Sequence, residues 1–210
     1  MLKRCFDVVI AATALVLLSP VYLTVAILIS IGSPGPILYR GRRAGRGATP
    51  FLLLKFRTMV VNAEKIGGPS TSEDDPRVTP IGRWLRKYKL DELPQMLNVL
   101  KGQMSLVGPR PEVLSEVERY NAEERQLLTV LPGITDWSSI CFHNEGEILR
   151  GAADPHQAYL ELIRPEKIRL GLKYVRERSF RTDLQIIAAT FATLVRTRAG
   201  KPALSSRQTV

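Results

Sequence analysis

Cysteine is almost absent from this chain of 210 residues: there are two, Cys5 and Cys141, far apart and without metal-ligand spacing. That excludes a disulfide framework and a zinc site, and leaves two reduced structural thiols in a cytosolic setting. Histidine is as scarce, with His143 and His156 alone. Aromatic residues make up 7%, with neither zinc-finger spacing nor an RNA-binding aromatic signature, so the basic charge is not read as nucleic-acid binding. No internal repeat is present. Acids are outnumbered, 20 against 30 Lys plus Arg, for a formal charge of +10. Charge of either sign is missing altogether from Val8 to Ile31.

The length suits one globular domain plus an anchor, or two small domains, with a core that needs no disulfides. The uncharged run of 24 residues is about 36 Å long as one helix at ~1.5 Å per residue, enough for a hydrocarbon core of about 30 Å. It is too long for a signal peptide and lacks a small-x-small cleavage site; Cys5 precedes it, against a lipoprotein signal. Pro20, after Ser19, falls mid-run and breaks or kinks the helix, and the serine hydroxyl can satisfy a freed carbonyl. Two geometries follow: a kinked crossing helix, or two half-helices that dip in and return. Lys3 and Arg4 lie before the run, and Arg40, Arg42, Arg43 and Arg46 after it. Because positive charge marks the cytoplasmic side, the flanks favour the hairpin. The same charges suit lipid headgroups and phosphate esters as partners.

Ser33-Pro34-Gly35-Pro36 ends the segment. Ile37 to Arg40 and Phe51 to Met59 read as strands, joined by a long loop from Gly41 to Pro50. Asn62 to Asp75 reads as a mobile loop, either a lid or a linker. Helical spacing begins at Arg83. Leu93, Met96, Leu97 and Leu100 form an i, i+3, i+4, i+7 stripe, and Pro94 in a first turn places that helix start near Asp91. Further helices are expected over Glu112 to Leu128, Ala158 to Leu162 and Lys167 to Arg178, the last two split by Pro165. Leu184 to Val195 is too short to span a bilayer and is a core helix or an interfacial one.

Asp91-Glu92 is the feature that points to chemistry. Two adjacent acids sit among Arg83, Arg86, Lys87, Lys89, Lys101 and Arg110. Basic surroundings lower a carboxylate's pKa and keep it ionised. At a helix start both acids lie at its positive end, where phosphates also bind. Successive helical side chains diverge by about 100°, which argues against a shared-proton dyad and for divided roles. One acid attacks phosphorus and its neighbour holds a metal or orients the site; carboxylates with phosphate oxygens suit Mg²⁺. The plainer reading is helix capping.

Longer stretches sharpen this. Asp75-Pro76-Arg77-Val78-Thr79, Gly82-Arg83-Trp84-Leu85-Arg86-Lys87, Leu90-Asp91-Glu92-Leu93-Pro94-Gln95, Asn98-Val99-Leu100-Lys101-Gly102 and Met104 through Pro111 closely resemble the bacterial sugar transferase family, the small monotopic phosphoglycosyl transferases. Lys55 to Met59, Pro132-Gly133-Ile134-Thr135, Lys3-Arg4-Phe6-Asp7 and Ser19-Pro20 match further family motifs. The resemblance implies transfer of a phosphosugar from a UDP-sugar to polyprenol phosphate, with Mg²⁺ and UMP release. Asp91 is the implied nucleophile and Glu92 its partner, both as metal ligands. The implied fold is α+β and helix-rich. A re-entrant membrane hairpin over residues 1–33, broken at Ser19-Pro20, precedes a small cytosolic domain over 34–198 with a β-hairpin and amphipathic helices. The tail, 199–210, is expected to be disordered. The implied location is the cytoplasmic face of the bacterial inner membrane.

Lys55, Arg57, Arg86 and Arg110 are the expected phosphate clamps, unless they neutralise lipid headgroups. Pro109 and Pro111 shape the nucleotide pocket with Arg110, and Asp183 is either a site acid or a cap. After Pro-Gly-Ile-Thr the chain departs from the family's Gln and Gly-Arg, reading Asp136-Trp137-Ser138-Ser139-Ile140 and Phe142-His143-Asn144-Glu145 instead. Glu145 and Glu147 replace the missing sugar contacts or form a solvated face. Gln103 stands where the family commonly has Asp. The rival reading is a membrane-anchored basic binding module without catalysis.

Overall fold

The computed structural model describes residues 1–68 and 70–198, so the tail expected to be disordered lies outside the described residues. The chain begins with α1 (Leu2–Leu17) and α2 (Ser19–Gly32), which meet at 61°. Pro20 has no N–H to offer the Val16 carbonyl, and Ser19 Oγ donates to that oxygen at 2.8 Å instead. The arms are about 24 and 21 Å long at ~1.5 Å per residue, each short of a ~30 Å hydrocarbon core. Among the described residues no single helix is long and apolar enough to cross a membrane. Val9, Val16, Leu17, Leu23, Ile27 and Ile31 nevertheless face outward.

Both ends of this pair are fastened to the same body. Lys3 Nζ donates to Val107 O at 3.1 Å and to Asp183 Oδ2 at 2.7 Å. Arg4 donates to Val99 O and Leu100 O at the end of the later helix that carries them. Asp7, 2% exposed, accepts from Ser105 Oγ at 2.8 Å and from the Leu106 N–H at 3.2 Å. At the other end Arg57 donates to Ser33 O at 2.7 Å and Pro34 O at 2.5 Å. Lys3 and Arg4, read from sequence as a charged flank, are therefore internal ties.

The hairpin forms as expected, from β1 (Leu38–Ala44) and β2 (Pro50–Phe56), antiparallel with Leu38 opposite Phe56 and Ala44 opposite Pro50. The strands run further into the expected loop, leaving Gly45 to Thr49 to turn, with Gly47 and Ala48 at positive φ. Met59 pairs separately with Val78. The stretch between them contains one 3₁₀ turn, Ala63–Lys65, held by Arg77, whose guanidinium bonds Ala63 O, Gly68 O and Asp75. Thr79 then caps α3 (Pro80–Lys87) by accepting the Gly82 N–H at 3.0 Å. Gly82 lies flat against the preceding segment: a Cβ there would fall 2.0 Å from Thr58 O.

Two helix expectations are corrected. Leu90–Glu92 is a separate 3₁₀ turn, and α4 (Gln95–Leu100) starts only after Pro94. Pro94 offers no N–H, and the Leu90 carbonyl takes the Leu93 N–H in the tighter spacing. The buried face of α4 is Gln95, Asn98 and Val99 rather than the leucine stripe. Asn98, fully buried, accepts from the Leu54 N–H (2.9 Å) and donates to Leu52 O (2.7 Å) and Gln103 Oε1 (2.8 Å). Polar satisfaction outranks apolar periodicity here. Beyond β3 (Ser105–Val107), the helix expected over Glu112 to Leu128 is two pieces, α5 (Leu114–Glu118) and a 3₁₀ turn, Glu124–Thr129. Asn121 and Glu124 break it by exchanging backbone-to-side-chain bonds at 3.0 and 2.9 Å, a reciprocal cap.

The chain continues through β4 (Gly133–Thr135), parallel to β3, then α6 (Trp137–Cys141), α7 (Glu145–Ile148), α8 (Pro155–Leu162), α9 (Arg164–Glu177) and α10 (Phe180–Arg198). The architecture is helix-rich α+β with two small sheets. Its main core joins Phe51, Leu53, Val99, Met104, Leu106, Ile140, Tyr174 and Ile186 with Ala11 of α1. Along α10, Ile186 is buried while Leu184, Phe191 and Val195 are exposed, so the apolar stretch is part core and part surface.

Candidate active site

The turn between α3 and α4 sets the site. Lys89 adopts φ 56, a left-handed backbone that ends the first helix and swings Leu90–Glu92 inward. Asp91 is 6% exposed, and its Oδ1 has no hydrogen-bond partner. Lys55 from β2 stands 3.8 Å from Asp91 Oδ2 and 2.7 Å from Glu92 Oε1. Arg110, just past β3, reaches the same Glu92 oxygen at 2.6 Å. A strand, a turn and a loop thus converge on two carboxylates.

The two acids differ electrostatically. Burial pushes Asp91 up, against the pull of Lys55, and the charge of Glu92 adds to the rise. Burial acts on Glu92 too, but Arg110, Lys55 and Lys89 outweigh it and hold that carboxyl well below the usual range. The expectation that basic neighbours lower both therefore holds for Glu92 alone; Asp91 is too desolvated. The two neighbours thus hold protons with opposite tendencies.

The pair lies in an open cavity of about 2740 Å³, with Lys55, Arg86, Lys89, Gln95 and Arg110 around it. Single small-molecule sites run to about 300–1,000 Å³, so this one has room for more than one ligand. Its lining includes the apolar side chains Tyr22, Leu23 and Ala26 of α2 with Ile37 and Trp84. The lining also includes His143, Glu145 and Glu147 of the divergent segment, with Tyr159 and Lys167.

Of the residues expected from sequence, Lys55, Arg86, Arg110 and Pro111 line this cavity with the acidic pair. Arg86 Nε donates to Thr58 Oγ1 at 2.9 Å, and burial lowers its pKa. Arg57 also lines it, but its two terminal nitrogens are spent on the end of α2. Pro109 lies outside, its carbonyl accepting the Gly133 N–H at 3.0 Å. Asp183 does not line the cavity and its carboxylate caps no helix: buried, it accepts from Lys3 and from Tyr174 Oη (2.8 Å) and ties α10 to α1 and α9. Ser19 and Pro20 shape the bend and do not line the cavity. Glu145 is paired with Lys167 at 2.6 Å, and His156 Nδ1 meets Ser70 Oγ at 3.1 Å.

Among the described residues no group of three His, Cys, Asp or Glu could hold a metal ion. The donor set does fit Mg²⁺, which takes one or two carboxylates and completes its shell with phosphate oxygens and water. The unpartnered Asp91 Oδ1 supplies the open valence. Lys89 and Gln95 escaped sequence reasoning. Gln95 is 1% exposed with an unpartnered Nε2; inside an apolar-looking helix it gave no signal. Lys89 was visible as one base among several, but its backbone twist was not.

Comparison with known proteins gives concordant matches. The family model described as bacterial sugar transferase matches residues 1–197. The UDP-glucose:undecaprenyl-phosphate glucose-1-phosphate transferase of Escherichia coli (strain K12) is 39% identical over 198 residues, covering 90% of this chain and 39% of that protein. The UDP-N-acetylgalactosamine-undecaprenyl-phosphate N-acetylgalactosaminephosphotransferase of Aeromonas hydrophila is 36% identical, covering 92% and 44%. The exopolysaccharide production protein ExoY of Sinorhizobium fredii (strain NBRC 101917 / NGR234) is 42% identical over 170 residues, covering 73% and 75%. The chain thus spans less than half the length of the first two relatives.

Proposed function

Because the chain belongs to the bacterial sugar transferase family, we propose that it is a phosphoglycosyl transferase, moving a phosphosugar from a UDP-sugar to polyprenol phosphate and releasing UMP. The names of its relatives, which pair UDP-sugars with undecaprenyl phosphate, support both substrates. The observation that carries the reading is Asp91: a buried carboxylate with one unpartnered oxygen, beside a Glu92 locked in its ionised form.

In the first step Asp91 attacks the sugar-bearing phosphorus. A carboxylate oxygen–phosphorus bond forms, the bridging phosphorus–oxygen bond breaks, and its electron pair leaves with UMP. In the second, a polyprenol phosphate oxygen attacks the same phosphorus and Asp91 is released. Lys55 and Arg110 fix Glu92 and add positive charge where phosphates sit. Asp91 and Glu92 would hold Mg²⁺, which neutralises diphosphate charge when bound. Burial raises the basicity of Asp91, which favours attack once it is ionised.

The helix pair is the proposed membrane element, residues 1–33 serving residues 34–198 on the cytoplasmic face of the inner membrane. Three observations support a re-entrant rather than a crossing path. Each arm is shorter than a bilayer core, the outer surface is apolar, and both ends are tied to one body. The α2 residues Tyr22, Leu23 and Ala26 line the same cavity as Asp91, which suits an acceptor whose tail stays in lipid while its phosphate reaches Asp91.

The test is UMP formation from a panel of UDP-sugars by the full chain with polyprenol phosphate and Mg²⁺. Asp91→Asn abolishes it, and donor without acceptor leaves a phosphosugar mass adduct on residue 91. Full turnover by Asp91→Asn refutes the assignment.

A further inference from the structure

Several cations that line the cavity already have partners. Lys55 and Arg110 hold Glu92, Arg86 donates to Thr58, Arg57 holds the end of α2, and Lys167 holds Glu145. The Lys89 side chain, like that of Arg83, makes neither a hydrogen bond nor a salt bridge among the described residues, but unlike Arg83 its charge is felt by both Asp91 and Glu92 in the cavity they share. Its backbone is held at φ 56, a conformation that costs any residue with a Cβ and that glycine adopts freely. Strain of this kind persists where the surroundings over-determine it, and it clusters at ligand-binding positions. The two features are independent: a strained backbone two residues before Asp91, and a cavity-lining ammonium without a hydrogen bond or salt bridge among the described residues.

We propose that Lys89 binds a phosphate group of the substrates directly, the left-handed turn placing its side chain in the lining of the cavity beside Asp91 and Glu92. The proposal rests on the transferase reading above. A lysine contributes a mobile point charge with three donors, suited to an anion that changes partners during a two-step transfer. The phosphate can come from the donor's diphosphate or from the acceptor's monophosphate, and the chemistry of recognition is shared.

Three variants of the full chain separate the possibilities. Lys89→Gly relieves the backbone strain and removes the charge; Lys89→Asn removes the charge but still tolerates positive φ; Lys89→Arg keeps the charge. The Gly variant is expected to unfold no earlier than the parent chain. Loss of one charge-assisted contact should weaken apparent phosphate affinity by about tenfold to a hundredfold in the Gly and Asn variants, with most of it restored in Lys89→Arg. If the weakening appears in the concentration dependence of acceptor-free UMP release, the donor's diphosphate is the ligand. If it appears only in KM for polyprenol phosphate, the acceptor's phosphate is. Gly and Asn variants that match the parent in both half-reactions, or a loss that Arg does not restore, overturn the proposal and leave the transferase reading standing. A parent chain that releases no UMP overturns that reading instead. Lys89 is then judged by calorimetric binding of UDP, where equal affinity in parent and Gly variant rejects it.

Discussion

Replacing Asn98 with alanine should cost about 3–5 kcal/mol of stability. The side chain is 0% exposed and makes three hydrogen bonds, to the Leu54 N–H, Leu52 O and Gln103 Oε1. At about 1 kcal/mol net each, these bonds give roughly 3 kcal/mol. Stranding a buried donor or acceptor adds ~1–3 kcal/mol, reduced where water fills the space. For a chain this long each kcal/mol moves Tm by roughly 2–4 °C, so the shift is about 6–20 °C downward. Melting followed by the fluorescence of Trp84 and Trp137 in detergent reads it. Asn98→Asp extends the argument. It keeps an acceptor for the Leu54 N–H but sets acceptors against Leu52 O and Gln103 Oε1. Burial raises that carboxyl above its unfolded value of about 3.9. A raised carboxyl binds its proton more tightly when folded, so this variant is weakest at neutral pH and recovers as pH falls through the folded value. Leu54 adjoins Lys55, and the strand's hold on Glu92 loosens with it, so UMP release should fall as well. An Asn98→Ala chain melting within about 2 °C of its parent would refute the reasoning.

The charge of Asp91 is a cost to the fold. Its folded pKa lies above its unfolded one, so stability is lost as pH rises through that interval. Asp91→Asn should therefore gain about 1 kcal/mol at pH 8 while losing activity, and the gain should vanish near pH 3; urea midpoints at the two pH values check this. Ser19→Ala strands Val16 O, and Pro20→Leu restores its helix bond. The first should destabilise by roughly 1 kcal/mol, and the second should reduce the bend, read by spin-label distances between the outer ends of α1 and α2. Gly82→Ala forces a Cβ to within 2.0 Å of Thr58 O. It should cost ~3 kcal/mol and disturb the Arg86–Thr58 contact, so thermal stability and UMP release should fall together.

Much of the fold was legible where sequence signals were local. The Ser19-Pro20 break, the hairpin and the Pro165 helix start each follow from one residue's backbone chemistry. Expectations failed where a long-range contact decided the outcome. The leucines of α4 have helical spacing, yet Asn98 faces inward because β2 presents backbone groups that only an amide satisfies on both sides. The helix over Glu112 to Leu128 looked continuous in composition, but an Asn121–Glu124 cap cuts it. At the candidate site the acidic pair, Lys55, Arg86 and Arg110 carried a readable signature. Asp183 lies away from the cavity lining: an acid near a helix start has several uses, and here Lys3, 180 positions away, supplies its partner. The opposite pKa directions of Asp91 and Glu92 were not readable, since adjacency hides how differently two neighbours are buried.

Asp7 has a consequence for engineering. It enters from the first helix and satisfies a hydroxyl and an amide on the third strand, while Ala11 fills one core cluster and Val25 and Ile29 another. A chain shortened to start at residue 34 forfeits those contacts and opens voids in two clusters. Grafting an unrelated hydrophobic leader in its place restores greasiness without restoring the missing carboxylate. Soluble fragments of this protein should therefore misfold, and any chimera must inherit the first two helices together with the surface they complete.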